Sequence, residues 1–411
     1  MTRALVGAAV VAALLAGSSS AATPQNPLAS LVLPRAQLGK VAQGLEVELL
    51  SGTTTNARAA DDSFDPSDDA TTLTRAGRVS GYALMYGDVG WTALRRGRGL
   101  IDVGTSLEFF RTLRQAAQYE RKTLRDLARV RGQNLQGTVV ERASVFPVAG
   151  LGPASIGIEI VQRIGNRRIH STVVDFQIER ILCEAVVNRA DTQNVHAQVA
   201  AIARRLRDRI AAYAAGTLKA RPVPLPRPLG SVQPPGKGAP DLSAMVPTNT
   251  DLKGKAGVSH QAFLPDDNAV TSYVREYRFG PSSGLFQLRA AVALQRTRRE
   301  AAGRLFVLRS VFTGPEAGDT LARLVAPNAK AVRLDGTRGA KLGDESFATS
   351  VSFTSGGQRL RAVLVYERRD RVVGSVILVG KPGNLTLEGT LPYGRMLDKR
   401  MKSGLKPALV A

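Results

Sequence analysis

One stretch of this chain is written twice. Residues 151–189 return at 342–380 after a shift of 191 positions, without a gap. Leu151-Gly152 falls on Leu342-Gly343, Ser155 on Ser346, Gly165 on Gly356, Arg168 on Arg359 and Arg180 on Arg371. The apolar run from Ile181 to Val187 falls on Val372 to Leu378. The same shift carries Val79, Tyr82 and Tyr86 onto Val270, Tyr273 and Tyr277. Between these anchors, Arg111-Thr112-x-Arg114-x-Ala116-Ala117 returns as Arg296-Thr297-x-Arg299-x-Ala301-Ala302 at a shift of 185, so six residues are exchanged within loops. Anchors that keep one order and spacing predict an internal repeat, two copies of one domain.

The length of 411 residues lets each copy bury a core of its own. Apolar residues make up 44% and charged residues 22%, an ordinary globular composition. The net charge of +22 is uneven: residues 23–215 carry +6, residues 216–240 carry +4 and residues 241–411 carry +11. This basic protein therefore favours anionic partners, above all through its second half. The N-terminus predicts a signal peptide over residues 1–22, with Arg3 as its charged start, an apolar stretch from Ala4 to Ala16, and small residues at Ser20-Ala21-Ala22. Ser18 stands where a lipoprotein box needs its cysteine, so the expectation is a secreted, extracytoplasmic, soluble chain without a lipid. Cys183 is the only cysteine, which excludes an internal disulfide.

The periodicities predict strands at 78–86, 100–110, 154–162, 168–176 and 180–187, with a helix at 113–129 and another starting near Thr192. Val195, Val199, Ile202, Leu206 and Ile210 form one apolar stripe on the latter. Glycines at 165, 356 and 357 suit tight hairpin turns. The second copy reads alike, except that Pro392 and Gly394 predict a broken or shortened final helix. The expected fold class is α+β: two tandem repeats, each an antiparallel sheet with two helices on one face, in the order strand, strand, helix, three strands, helix. The domains read as 28–215, with an acidic loop inserted at 57–74, and 241–403, followed by a tail at 404–411. Residues 216–240, dense in proline, form the linker between them.

Tyr273-Val274-Arg275-Glu276-Tyr277, the Arg-Thr-x-Arg-x-Ala-Ala helix entry and Leu342-Gly343-Asp344-Glu345-Ser346 give the chain a family likeness. It resembles actinobacterial exported proteins and lipoproteins that carry one or two PsbP-like α+β domains. The resemblance implies extracytoplasmic ligand binding, sensing or scaffolding, and carries over no catalytic residue. The first copy departs from it, with Pro153-Ala154 at Asp344-Glu345 and Ala83 to Met85 at Val274 to Glu276.

Few patterns with chemistry are present. His170, His196 and His260 form no zinc-binding spacing, no G-x-S-x-G elbow occurs, and Gly97-Arg98-Gly99 lacks the third glycine of a dinucleotide loop. No catalytic residue, metal site or cofactor is expected. Asp61, Asp62, Asp65, Asp68 and Asp69 read as a solvated acidic loop rather than a calcium loop. The candidate anion-binding residues are Arg359 and Arg361, two apart on one strand, with Arg368, Arg369 and Arg371 at the next turn. The functional expectation is a non-enzymatic binding, sensing or scaffold protein of the cell envelope, holding an apolar or anionic ligand between sheet and helices. The alternatives are an adaptor on anionic envelope polymers or lipid headgroups and, third, an envelope hydrolase. Nucleic acid is not expected, because aromatics at 5% leave little surface for stacking.

Overall fold

The structure is a computed structural model that describes residues 26–48, 51–61, 63, 65, 67–127, 129–135, 138–225, 241–264, 266, 269–280 and 283–405. The expected signal segment, residues 226–240 of the expected linker and the end of the tail lie outside the described residues. The chain divides into two compact units, with the break between 227 and 228. Each is a mixed α+β unit on one antiparallel sheet.

The first unit contains β1 (Glu46–Val47), β2 (Gly52–Thr54), β3 (Arg78–Gly87), β4 (Leu100–Phe110), β5 (Asn134–Leu135), β6 (Thr138–Phe146), β7 (Ile156–Ile164), β8 (Arg167–Ile178) and β9 (Ile181–Arg189). Its helices are α1 (Arg35–Leu38), α2 (Asn56–Asp61), α3 (Ala70–Arg75), α4 (Thr92–Arg96), α5 (Leu113–Leu127) and α6 (His196–Ala214). The sheet runs β1-β3-β4-β9-β8-β7-β6-β5, with β2 also on β3. The second unit contains β10 (Ala256–Leu264), β11 (Thr271–Phe279), β12 (Leu285–Leu294), β13 (Lys330–Arg338), β14 (Glu345–Ser355), β15 (Gln358–Arg369) and β16 (Val372–Gly380). Its helices are α7 (Arg298–Thr313), α8 (Ala317–Val325) and α9 (Leu387–Leu405), and its sheet runs β10-β11-β12-β16-β15-β14-β13.

Cross-strand pairs match between the sheets at the two sequence shifts. Phe109 faces Ile181 as Leu294 faces Val372. His170 faces Arg189 as Arg361 faces Gly380. Arg142 faces Val161 as Arg333 faces Ser352. The Arg-Thr element marks a helix start in both: Thr112 Oγ1 accepts from Gln115 N at 3.2 Å, and Thr297 Oγ1 from Glu300 N at 3.1 Å. A short hydroxyl side chain thereby satisfies an N–H that the first helical turn leaves open.

Three expectations are corrected. Five strands follow the first long helix of the first unit and four follow that of the second, not three, because β5, β6 and β13 are present. The helices also cover both sheet faces rather than one. In the first unit, Val199, Ile202 and Leu206 of α6 meet Val174, Cys183 and Val187 on one face. Leu127 of α5 meets Val173 and Val186 on the other. In the second unit Leu397 and Met401 of α9 meet Val363 and Val376. On the opposite face, Phe312 of α7 lies against Tyr366, with ring centroids 5.7 Å apart. Adjacent strand residues point to opposite faces, so a continuous apolar run such as Ile181 to Val187 needs cover on both. Burying each such side chain stabilises by about 1.5–3 kcal/mol.

Third, α9 runs unbroken through Pro392. Its packing against β15, β16 and residues 242–245 outweighs the lost hydrogen bond. Gly394 suits that packing, since a Cβ there would stand 2.6 Å from Leu342 Cδ1. The described residues of the acidic insertion include two short helices, with Ala59 of α2 and Leu73 of α3 buried beside Phe110 and Leu182.

Candidate functional site

The five arginines singled out from sequence do not form one site. Arg361 is a strut: its Nε donates to Asp335 Oδ2 at 3.0 Å, and its Nη1 to the carbonyls of Leu385 at 3.0 Å and Pro382 at 3.3 Å. Arg368 bridges Asp344 Oδ2 at 3.0 Å and Glu345 Oε1 at 3.2 Å. These adjacent carboxylates converge on that one guanidinium. Arg369 makes a forked pair with Asp398 at 2.6 and 2.8 Å. Of the five, only Arg359 and Arg371 have no carboxylate partner among the described residues; Arg359 stands near the start of β15 and Arg371 just beyond its end. Eleven intervening residues, most of them in strand at about 3.3 Å each, hold them far apart.

Arg359 instead joins residues that sequence reading did not single out. The ends of β11 and β16 and the starts of β12 and β15 meet at one end of the second sheet. There Arg278, Phe279, Phe286, Gln358, Arg359, Lys381 and Pro382 line an open cleft of about 790 Å³. Arg278, Arg359 and Lys381 are exposed, and no acid is among the lining residues. Phe279 and Phe286 are half-buried. Phe286 is the surplus residue of a bulge: Leu285 faces Gly380 and Gln287 faces Val379, so Phe286 has no partner across that ladder. Bulges re-aim the side chain they carry. The turn that brings Arg359 here is the two-residue hairpin Gly356-Gly357, with φ of 55° and 75°. Three cations thus stand beside aromatic walls, a chemistry suited to an anion that carries apolar surface.

A second cluster lies between α5 and the first sheet. Ser106, Glu108, Glu120, Asp175 and Glu184 line a space of about 10 Å³, room for one water rather than a ligand. The ligand space expected between sheet and helix is thus filled at this place by side chains. Arg78 Nε stands 3.5 Å from Glu108 Oε1, and its Nη1 donates to Asn56 Oδ1 at 2.7 Å. Burial pushes the Glu120 carboxyl up to about 7. In the second unit the corresponding positions hold Ala291, Ala293, Leu305, Tyr366 and Ser375.

Other motifs resolve into structural roles. Lys122 Nζ lies 2.9 Å from Asp65, 3.1 Å from Asp68 and 2.9 Å from Asp126. Hydrogen bonds from Ser67 and Lys122 hold the Asp65 carboxyl down at about 2. Asp69 caps α3, accepting from Thr72 N at 2.6 Å. Asp62 and the side chain of Asp61 lie outside the described residues. His196 stacks on Phe146, with centroids 3.8 Å apart, and its Nε2 stands 2.7 Å from Glu159. Cys183 is buried, and burial pushes its thiol up, away from the reactive thiolate. Among the described residues no three His, Cys, Asp or Glu side chains converge as a metal would need, and no helix is long and apolar enough to cross a membrane.

The fold and cleft define the class: two α+β units, the second bearing a cationic surface cleft. Comparison with known proteins adds no family. No family model matches the chain, and no curated protein matches it. Among solved structures, the extracellular domain of PknH from Mycobacterium tuberculosis is similar at 13% identity, covering 45% of this chain and 97% of that chain, with a TM-score of 0.28. The apo structure of the immunity protein TplEi of T6SS from Pseudomonas aeruginosa is similar at 9% identity, covering 77% of this chain and 93% of that one, with a TM-score of 0.19. Scores this low carry no argument about fold or function.

Proposed function

We propose that this chain is an exported, non-enzymatic tandem binding protein of the cell envelope, built by duplication, in which the second copy holds the ligand site. The observation that carries the reading is the convergence of Arg278, Arg359 and Lys381 on one acid-free cleft. Cations left without carboxylates at the end of a rigid sheet are poised for an external anion. The N-terminal export pattern and the basic second half, at +11, agree with this. The adaptor reading, with a hairpin arginine cluster gripping a polymer, has less support because Arg361, Arg368 and Arg369 are committed to internal pairs.

The test is retention of the full chain on phosphocellulose, read as the salt concentration at elution. An Arg278→Ala/Arg359→Ala/Lys381→Ala variant is compared with a charge-matched Arg121→Ala/Arg125→Ala/Arg129→Ala variant, altered at exposed positions of the first unit. The cleft variant is expected to elute well before the control. Elution of the two together would place anion binding in bulk charge rather than in the cleft.

A further inference from the structure

We infer that the cleft of the second unit takes a phosphate-type anion carried on an aromatic or apolar body, a phosphorylated amphiphile rather than a bare anion. This rests on the binding reading above and assigns its ligand class. The cleft joins two kinds of surface that a bare anion would not use together. Arg278, Arg359 and Lys381 come from β11, β15 and the residue after β16, so their charges approach from separate strands. Two guanidinium forks and an ammonium suit a multiply charged group with several oxygens, such as a phosphomonoester. Phe279, Phe286 and Pro382 supply the remaining wall. At about 790 Å³ the cleft is far larger than phosphate alone requires and falls in the range of sites for small organic ligands.

The bulge strengthens the assignment. At the matching bulge of the first unit, between Leu100 and Asp102, the surplus residue is Ile101, which is buried. In the second unit Phe286 holds this position half-buried at the cleft. The three cleft cations are not reproduced at the matching positions of the first unit. Gly87 and Ala190 stand at Arg278 and Lys381, and Arg168, the counterpart of Arg359, is paired with Glu141 at 2.6 Å. Charge and aromatic surface therefore occur together at one corner, as a single ligand with two kinds of surface requires. No enclosing wall is present, so the apolar body can belong to a free small molecule or extend from a bilayer.

The test titrates the full chain by calorimetry with inorganic phosphate, phenyl phosphate and phenol, and separately by flotation with phosphatidylcholine vesicles with and without phosphatidic acid. Phenyl phosphate or phosphatidic acid vesicles are expected to bind more tightly than inorganic phosphate, and phenol to bind least. Saturation by phenyl phosphate assigns a free ligand, and flotation without such saturation assigns a lipid headgroup. Arg359→Ala is expected to weaken both phosphate probes about tenfold. Phe286→Ala is expected to weaken phenyl phosphate by about tenfold and leave inorganic phosphate unchanged. Phe286→Leu, which keeps an apolar side chain at the bulge, guards against loss of folding and is expected to weaken phenyl phosphate less. Equal affinity for inorganic and phenyl phosphate would overturn the aromatic role. Binding of neither, while the cleft variant still elutes early from phosphocellulose, would overturn this ligand class and leave the binding reading standing. Coelution of that variant with its charge-matched control would remove both.

Discussion

The two units place corresponding strand pairs in the same register yet fill the same places with opposite chemistry. Beneath α5 the first unit buries Glu108, Glu120, Asp175 and Glu184, with Arg78 3.5 Å from Glu108. The second holds alanine, leucine, tyrosine and serine there. At the sheet end the contrast reverses. The second unit gathers three exposed cations in an acid-free cleft, while at the matching end of the first Asp88 accepts from Ala93 N at 3.0 Å and Asp191 grips Arg189 at 2.6 Å beside the exposed Arg95, Arg96 and Arg98. What the units share is apolar alternation and turn glycines. Where they differ, one interior became acidic and one surface became basic. Strand register depends on the apolar pattern and tolerates charge wherever a partner or solvent is at hand.

Four experiments would break or sharpen this contrast. The largest effect is expected at Arg78, whose counterpart is Ala269. Arg78→Ala leaves Glu108 buried without its ion pair and should destabilise the first unit by about 3–5 kcal/mol. Hydrogen exchange read by mass spectrometry on peptides of each unit should show the loss in the first unit alone, with much of it restored in Arg78→Ala/Glu108→Ala.

The next effect depends on pH. Burial raises Glu120 to about 7 in the first unit. Burial, and then nearby Asp398, raises Glu367 to about 9 in the second. Each carboxyl keeps its proton in the folded chain where the unfolded chain has lost it, so stability falls as pH rises from 4.5 toward the folded value. The first unit should lose stability between about pH 4.5 and 7, and the second between about 4.5 and 9. The loss is on the order of 2–3 kcal/mol for Glu367 and smaller for Glu120. Exchange rates across pH check it: Glu367→Gln should flatten the second unit's profile alone, and Glu120→Gln should reduce, in the first unit alone, a slope to which buried Glu48 and Asp102 also contribute.

Third, Lys381→Ala at the cleft should weaken phenyl phosphate about tenfold by calorimetry, whereas Ala190→Lys at the first unit's matching corner should add no site. Smallest of all, Arg371→Ala, at the far end of β15, should change stability by less than about 0.5 kcal/mol by thermal melting and leave binding unchanged.

The strands that carry the register, β3, β4, β7, β8 and β9 with their counterparts, were legible because apolar residues mark them. The strand β13 was not, since Lys330 to Arg338 is largely exposed and offers no buried face to the eye. The two-sided cover of each sheet is implied by the unbroken apolar runs, which leave no polar face to turn to solvent. The final helix is not legible from a local rule about Pro392, because tertiary packing overrides that rule. Of the site, Arg359 alone was anticipated. Arg278 and Lys381 lie far from it along the chain and meet it only because β11, β12, β16 and β15 are neighbours in the sheet. The paired arginines misled for a related reason: their carboxylates come from distant segments, as Asp398 does for Arg369.

The unpartnered residue at 286 has one more implication. A position excused from the hydrogen-bonding ladder can be rewritten without disturbing the frame around it. Ile101, buried, and Phe286, half-buried at the cleft, are two spellings of that one letter, turned inward in one copy and toward the surface in the other.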